Sequence, residues 1–240
     1  FWRWRDIADV SVEGYWKTMH NLIEYKDGAS FMGSSSEWEE KVSMGDGNAY
    51  GIEILLQRSF GKTTGWIGYT WAKSTRLFNR PGQEINYGRE FPAKYDRRHD
   101  VSITMSHKFS DRIDVSASWV YSTGSTGTLA MQYNNPLSVP QTEQMWHENK
   151  LPYINSRNNY RLNAYHRLDL EINFHKQKRW GMRTWNFSIY NAYNQMNPFM
   201  VYPSNESSYD LETGDVDTRD VLKQVTLFPI IPSVSYTIKF

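Results

Sequence analysis

The sequence predicts an all-β protein: an antiparallel up-and-down sheet of about eight strands, forming a segment of a transmembrane β-barrel. Three observations predict it. Apolar and polar residues alternate with the two-residue period of a strand, and no 3.6-residue helical period appears. Connections alternate long and short along the chain. Aromatics make up 15% of the residues, as Trp 10, Tyr 16 and Phe 11, and the Trp and Tyr gather toward strand ends, where amphipathic rings settle at a lipid–water boundary.

The elements follow in order. A weaker alternation opens at 8–18, and others lie at 49–59 and 65–75. At 99–109, Val101, Ile103, Met105 and Phe109 oppose Asp100, Ser102, Thr104, Ser106 and Lys108. At 113–121, Ile113, Val115, Ala117, Trp119 and Tyr121 fall on one face. The pattern is complete at 167–174, with Leu168, Leu170, Ile172 and Phe174 against Arg167, Asp169, Glu171 and Asn173. A weaker copy sits at 184–194. The last strand, 233–240, sets Val234, Tyr236, Ile238 and Phe240 against Ser233, Ser235, Thr237 and Lys239.

Long connections are expected at 26–47, 76–98, 125–160 and 198–221. Short turns are expected at 59–64, 110–112 and 176–183. In an up-and-down sheet every second connection lies at the same end, so the long loops share one rim and the turns the other. Outer-membrane barrels sort their connections this way, with short turns on the periplasmic side. A soluble sandwich has no reason to. The charges Glu53, Asp100, Asp114, Arg167, Asp169 and Glu171 would line a hydrated lumen, whereas a dry core would make each costly. A soluble sheet with these charges facing bulk water shares the alternation but not the loop sorting.

Composition excludes other classes. With Cys 0 there is no disulfide scaffold, cysteine-ligated metal or thiol catalysis. A net charge of +1 gives no support to a nucleic-acid binder. The mean hydropathy is -0.68, and no apolar run approaches the ~20 residues of a membrane helix. The opening Phe1-Trp2-Arg3-Trp4-Arg5 has neither initiator Met nor signal region, which suggests a removed leader or the back part of a longer chain.

Four stretches then carry a family resemblance: FPAKYDRRHDVSI at 91–103, NNYRLNAYHRLDLEINF at 158–174, NFSIYNAYNQMNPF at 186–199 and LKQVTLFPIIPSVSYTIKF at 222–240. Together they resemble the C-terminal barrel portion of a TonB-dependent outer-membrane receptor of the Bacteroidetes type. The resemblance implies that 1–240 holds the last eight strands of a barrel of about 22 strands. It implies that the plug domain and TonB box lie outside this chain. Tyr236, Ile238 and Phe240 would be the assembly signal read by the barrel-assembly machinery. The implied partners are outer-membrane lipid, the N-terminal remainder of the receptor, the TonB complex through that remainder, and a surface lipoprotein. The implied location is the bacterial outer membrane.

No catalytic or metal constellation emerges, and no cofactor is expected. The histidines 20, 99, 107, 147, 166 and 175 lack H-x-x-x-H spacing. Asp169 and Glu171 share a strand face and could mimic a glycosidase pair, but a charged lumen wall beside Arg167 explains them more simply. Candidate substrate contacts are the loop residues Arg76, Arg80, Tyr87, Arg89, Tyr133 and Trp146, since aromatic and guanidinium groups suit stacking on sugars, peptides or siderophore rings. The expected function is a part in energised uptake of a scarce nutrient, such as a siderophore, vitamin, glycan or peptide. The alternative is a small closed barrel that binds or adheres without transport. Neither is an enzyme.

Overall fold

The computed structural model describes residues 2–4, 8–29, 37–134, 151–209 and 214–240. Eight long strands form its main sheet: β1 (Ala8–Tyr25), β2 (Val42–Arg58), β3 (Thr63–Leu77), β4 (His99–Ser110), β5 (Ile113–Ser122), β6 (Tyr165–Lys178), β7 (Gly181–Tyr190) and β8 (Ile231–Lys239). Each pairs antiparallel with its neighbour in sequence, in the order β1 to β8. All eight expected strands are present, and the class is all-β and antiparallel. The only helical pieces among the described residues are two 3-10 turns, Trp38–Lys41 and Asn86–Gly88. Trp2–Trp4 and Phe91–Pro92 extend the sheet beside β1 and β3.

Closure is not observed. The order runs from Trp2–Trp4, beside β1, to β8, and no ladder joins its two ends among the described residues. The described strands form one open antiparallel sheet, as a segment of a larger barrel would. The connections differ from the expectation in two places. β2 already begins at Val42, inside the expected 26–47 loop. The expected 198–221 loop holds a two-stranded ribbon, Met200–Tyr209 against Val216–Val225. Its strands are mostly exposed on both faces, so they lack the apolar alternation that marks a half-buried strand, and Pro203 disguises the first further.

Loop sorting is sharp. The connections 59–62, 111–112 and 179–180 lie at one rim; 78–98 and the described parts of 26–41, 123–164 and 191–230 lie at the other. Register partners in a ladder share a face, and this fixes the two sides of the sheet. One continuous row runs Val10, Leu56, Ile67, Ile103, Trp119 and Leu168 across six strands. Another runs Ile113, Phe174, Trp185 and Tyr236. On this apolar side, the long strands carry no charge between Arg58, Lys176 and Arg183 at the short-connection end and Lys73 and Asp46 at the other. Nothing described covers it: Val12 is 65%, Trp16 72% and Val234 59% exposed.

The opposite side is polar. Register places Glu53, Asp100, Asp114, Arg167, Asp169 and Glu171 there together. The small buried core lies on this side, near the long-connection rim, where Phe78, Ile85 and Phe91 of the 78–98 connection pack with Leu22. Gly45 permits that approach, since a Cβ there would meet the Phe78 ring at 2.5 Å. The 78–98 connection thus folds inward over the polar face.

Candidate functional site

Two polar groupings stand on this face. On β5, β6 and β7, Glu171 accepts hydrogen bonds from Asn173 (2.8 Å) and Asn186 (2.6 Å). Asn173 also donates to Asp114 at 3.0 Å, and Asp114 bonds Nε2 of His175. Above this ladder, Arg167 donates to Asp169 at 3.0 Å and to the Tyr165 hydroxyl at 2.9 Å. Its guanidinium lies 4.0 Å from the Tyr190 ring centroid. Asp169 in turn caps the backbone N–H of Asn191 at 2.9 Å. Asp169 thus accepts from a guanidinium and a backbone N–H, and one Glu171 oxygen, Oε1, accepts from two amides. Among the described residues no group of three potential metal ligands converges.

The second grouping is at the long-connection rim, where three loops are tied together. Arg157 donates to Asp27 at 3.0 Å and to Glu24 at 3.2 Å. Its backbone N–H donates to Asn86 at 2.9 Å, and the Asn86 N–H donates to Asp27 at 3.0 Å. Asn158 reaches the Pro92 carbonyl at 2.7 Å. Between these ties lies a cleft of about 400 Å³ lined by Asp27, Asn86, Tyr87, Thr128, Ile154 and Arg157. Deeper in, Asp96 is fully buried. It accepts from Arg161 at 2.6 Å and from the Ser74 N–H at 2.7 Å.

The sequence-derived contact residues divide here. Tyr87 and Arg89 come together at the cleft, with the guanidinium 5.2 Å from the ring centroid and donating to the Asn155 carbonyl at 3.2 Å. Tyr87 is 74% exposed and left-handed at φ 58. That conformation costs a side-chain-bearing residue about 1–2 kcal/mol, and such outliers cluster at functional sites. Arg80 is instead held by Asp46 at 3.1 Å and by Asn21. Arg76 lies on the polar face and donates to the Thr75 carbonyl at 3.1 Å. Tyr133 belongs to a short strand, Gln132–Asn134, paired with Leu151–Tyr153. Trp146 lies outside the described residues. Tyr236, Ile238 and, by alternation, Phe240 share the apolar face at the short-connection end.

Sequence reasoning missed Asp27, Asn86, Asp96, Arg157 and Arg161. Their partners lie far away in the chain, so no local spacing marks them. The cue was the run of Asn and Gly at 86–88 and 158–159, which supplies left-handed turns at Asn86 and Asn158. No family model matches this chain, and no curated protein matches it.

Proposed function

We propose that this chain is a wall segment of a larger outer-membrane β-barrel of the TonB-dependent receptor type, and that its long loops contact an imported nutrient. One observation carries the reading: a charge-free apolar belt on one side of all eight strands, backed by a charged and hydrogen-bonded side. From Ile113 to Tyr121 the belt runs roughly 26 Å along the strand at about 3.3 Å per residue. A tilt of about 40° brings that to roughly 20 Å, close to the apolar band of such barrels.

The open order supports a large barrel over a small one. A closed eight-stranded barrel needs β1 to pair with β8, and no such ladder is present among the described residues. An unpaired edge is not tolerated in hydrocarbon, so the wall calls for further strands. The cleft lined by Tyr87 and Arg157, with Arg89 beside the Tyr87 ring, is the favoured ligand contact, because an exposed aromatic ring beside a guanidinium suits stacking on polar ring systems.

Whole-cell labelling tests the topology. With Cys 0, single cysteines at Asp111 and Gly127 are unambiguous. An impermeant thiol reagent should label Gly127→Cys on intact cells and leave Asp111→Cys untouched until the outer membrane is opened. Labelling at Asp111→Cys alone inverts the assignment, and equal labelling of both on intact cells removes it.

A further inference from the structure

At the short-connection rim the apolar face ends in cations. Arg58, Lys176, Lys178 and Arg183 are the next residues on that face below its apolar belt. Lys62, Arg112 and Arg179 stand in the three adjoining turns. Lys176 and Arg183 are register partners, so two like charges stand directly opposite on one side, a destabilising arrangement when left alone.

Protein carboxylates do not neutralise them. Among the described residues, none lies within 4.0 Å of the charged atoms of Arg112, Lys176, Lys178, Arg179 or Arg183. The acid of the rim, Asp111, is taken by Lys108 at 2.8 Å. Nε of Arg183 is buried without a hydrogen-bond partner. Aromatics stand beside these cations: Trp180 and Phe240 are 5.6 Å apart, and Trp185 and Tyr236 are 4.7 Å apart.

A ligand that completes this corner needs an anionic oxygen group at the level of the cations and acyl chains that run along the belt above. We propose that the Lys176–Arg183 corner binds the headgroup phosphate of an anionic glycerophospholipid, in the leaflet at the short-connection rim. The proposal rests on the membrane reading above. An acidic protein would match the charge alone. The lipid is favoured because four of the cations continue the apolar face instead of lying only beneath it.

Electron paramagnetic resonance with spin-labelled lipids tests this on the whole barrel protein that contains this segment, reconstituted in phosphatidylcholine vesicles. The probes are spin-labelled phosphatidylglycerol and phosphatidylcholine. A motionally restricted phosphatidylcholine shell reports that the protein is in the bilayer; its absence overturns the membrane reading and the proposal with it. Given that shell, the unaltered protein should prefer phosphatidylglycerol. The double variant Lys176→Gln, Arg183→Gln should lose about fivefold of the preference per cation removed, while Arg219→Gln in the outer ribbon keeps it. The pair Lys178→Gln, Arg179→Gln repeats the test if the first variant does not fold. Equal preference in the unaltered protein and both double variants overturns the lipid site. So does a preference abolished by inorganic phosphate but not by chloride of equal ionic strength, which would mark a free-anion site. A preference that survives in phosphate and falls in either double variant supports the proposal.

Discussion

Leu170 and Glu171 are neighbours in one strand on opposite sides of the sheet, and the proposed membrane placement gives them two different solvents. On the Leu170 side, rows of aliphatic and aromatic residues run from strand to strand, with the side-chain ties Tyr69–His99 at 2.9 Å and Thr63–His107 at 2.7 Å on the β3–β4 pair. On the Glu171 side, carboxylates, amides and an imidazole form a connected ladder. The first side is unspecific in its contacts and intolerant of charge. The second is specific in its contacts and tolerant of charge, because water can replace any partner that is lost. Stability of this wall is therefore set by what each side faces, more than by how tightly either side packs.

The largest effect that would break this contrast comes from Leu170→Arg. A cation on a lipid-facing strand near the bilayer midplane costs roughly 2–4 kcal/mol, so the yield of heat-modifiable folded protein should drop sharply. Glu171→Arg should leave folding close to normal, at most altering permeation. A soluble sheet with a dry core would also reject Leu170→Arg, so a second measurement is needed. Spin labels on Leu170→Cys and Glu171→Cys should show oxygen accessibility at the first and accessibility to a water-soluble nickel complex at the second. The same accessibility at both positions would end the two-solvent account.

A smaller effect is expected where the polar side meets the loops. Asp96 is buried, but Arg161 is partly hydrated, which reduces the cost of breaking their ion pair below that of a fully buried one. Asp96→Asn should cost about 2 kcal/mol locally, read as faster proteolysis within 78–98 and 123–134. Heat-modifiability of the sheet should be unchanged. Loss of the folded sheet in this variant would mean that the rim loops and the wall are one cooperative unit.

The smallest effect concerns the exposed turn between β4 and β5. The hydrogen bond from Lys108, and then its charge, hold the Asp111 carboxyl below its ordinary value, with a lesser contribution from Lys62. A depressed folded value means that any stabilisation is present above the unfolded pKa, near 4, and is lost as pH falls through the lower folded value. Asp111→Asn should leave neutral-pH unfolding unchanged within error and remove only an acid-limb inflection. A clear loss at neutral pH would show that this turn is not the simple solvated one its exposure implies.

The legible parts of the fold share a cause. The eight long strands were readable because each has one side that must be apolar, which imprints a two-residue period such as Leu168, Leu170, Ile172 and Phe174. The ribbon at Met200–Tyr209 was not readable, because water surrounds both its sides and imposes no period. Candidate contact residues were only partly legible. Residue type marked Tyr87 and Arg89, which meet at the cleft, and marked Arg80 equally, although Asp46 and Asn21 already occupy its donors. Tie residues such as Asp96 and Arg157 act across long chain separations, and a linear pattern carries no trace of that.

The ribbon has one more consequence. Below it, Asn191 donates to the Phe228 carbonyl at 3.1 Å and the Ile230 N–H donates to Asn194 at 2.9 Å, which clamps the two ends of the 191–230 connection together. The register of β7 against β8 is set beneath that clamp and owes nothing to the ribbon's tip. The ribbon's ladder is internal to itself. It is therefore a detachable cassette: its length and sequence can drift, be trimmed or carry an inserted epitope while the wall below keeps its geometry. If the proposed outer-membrane placement holds, a cell could change its outline there without renegotiating how the strands pair.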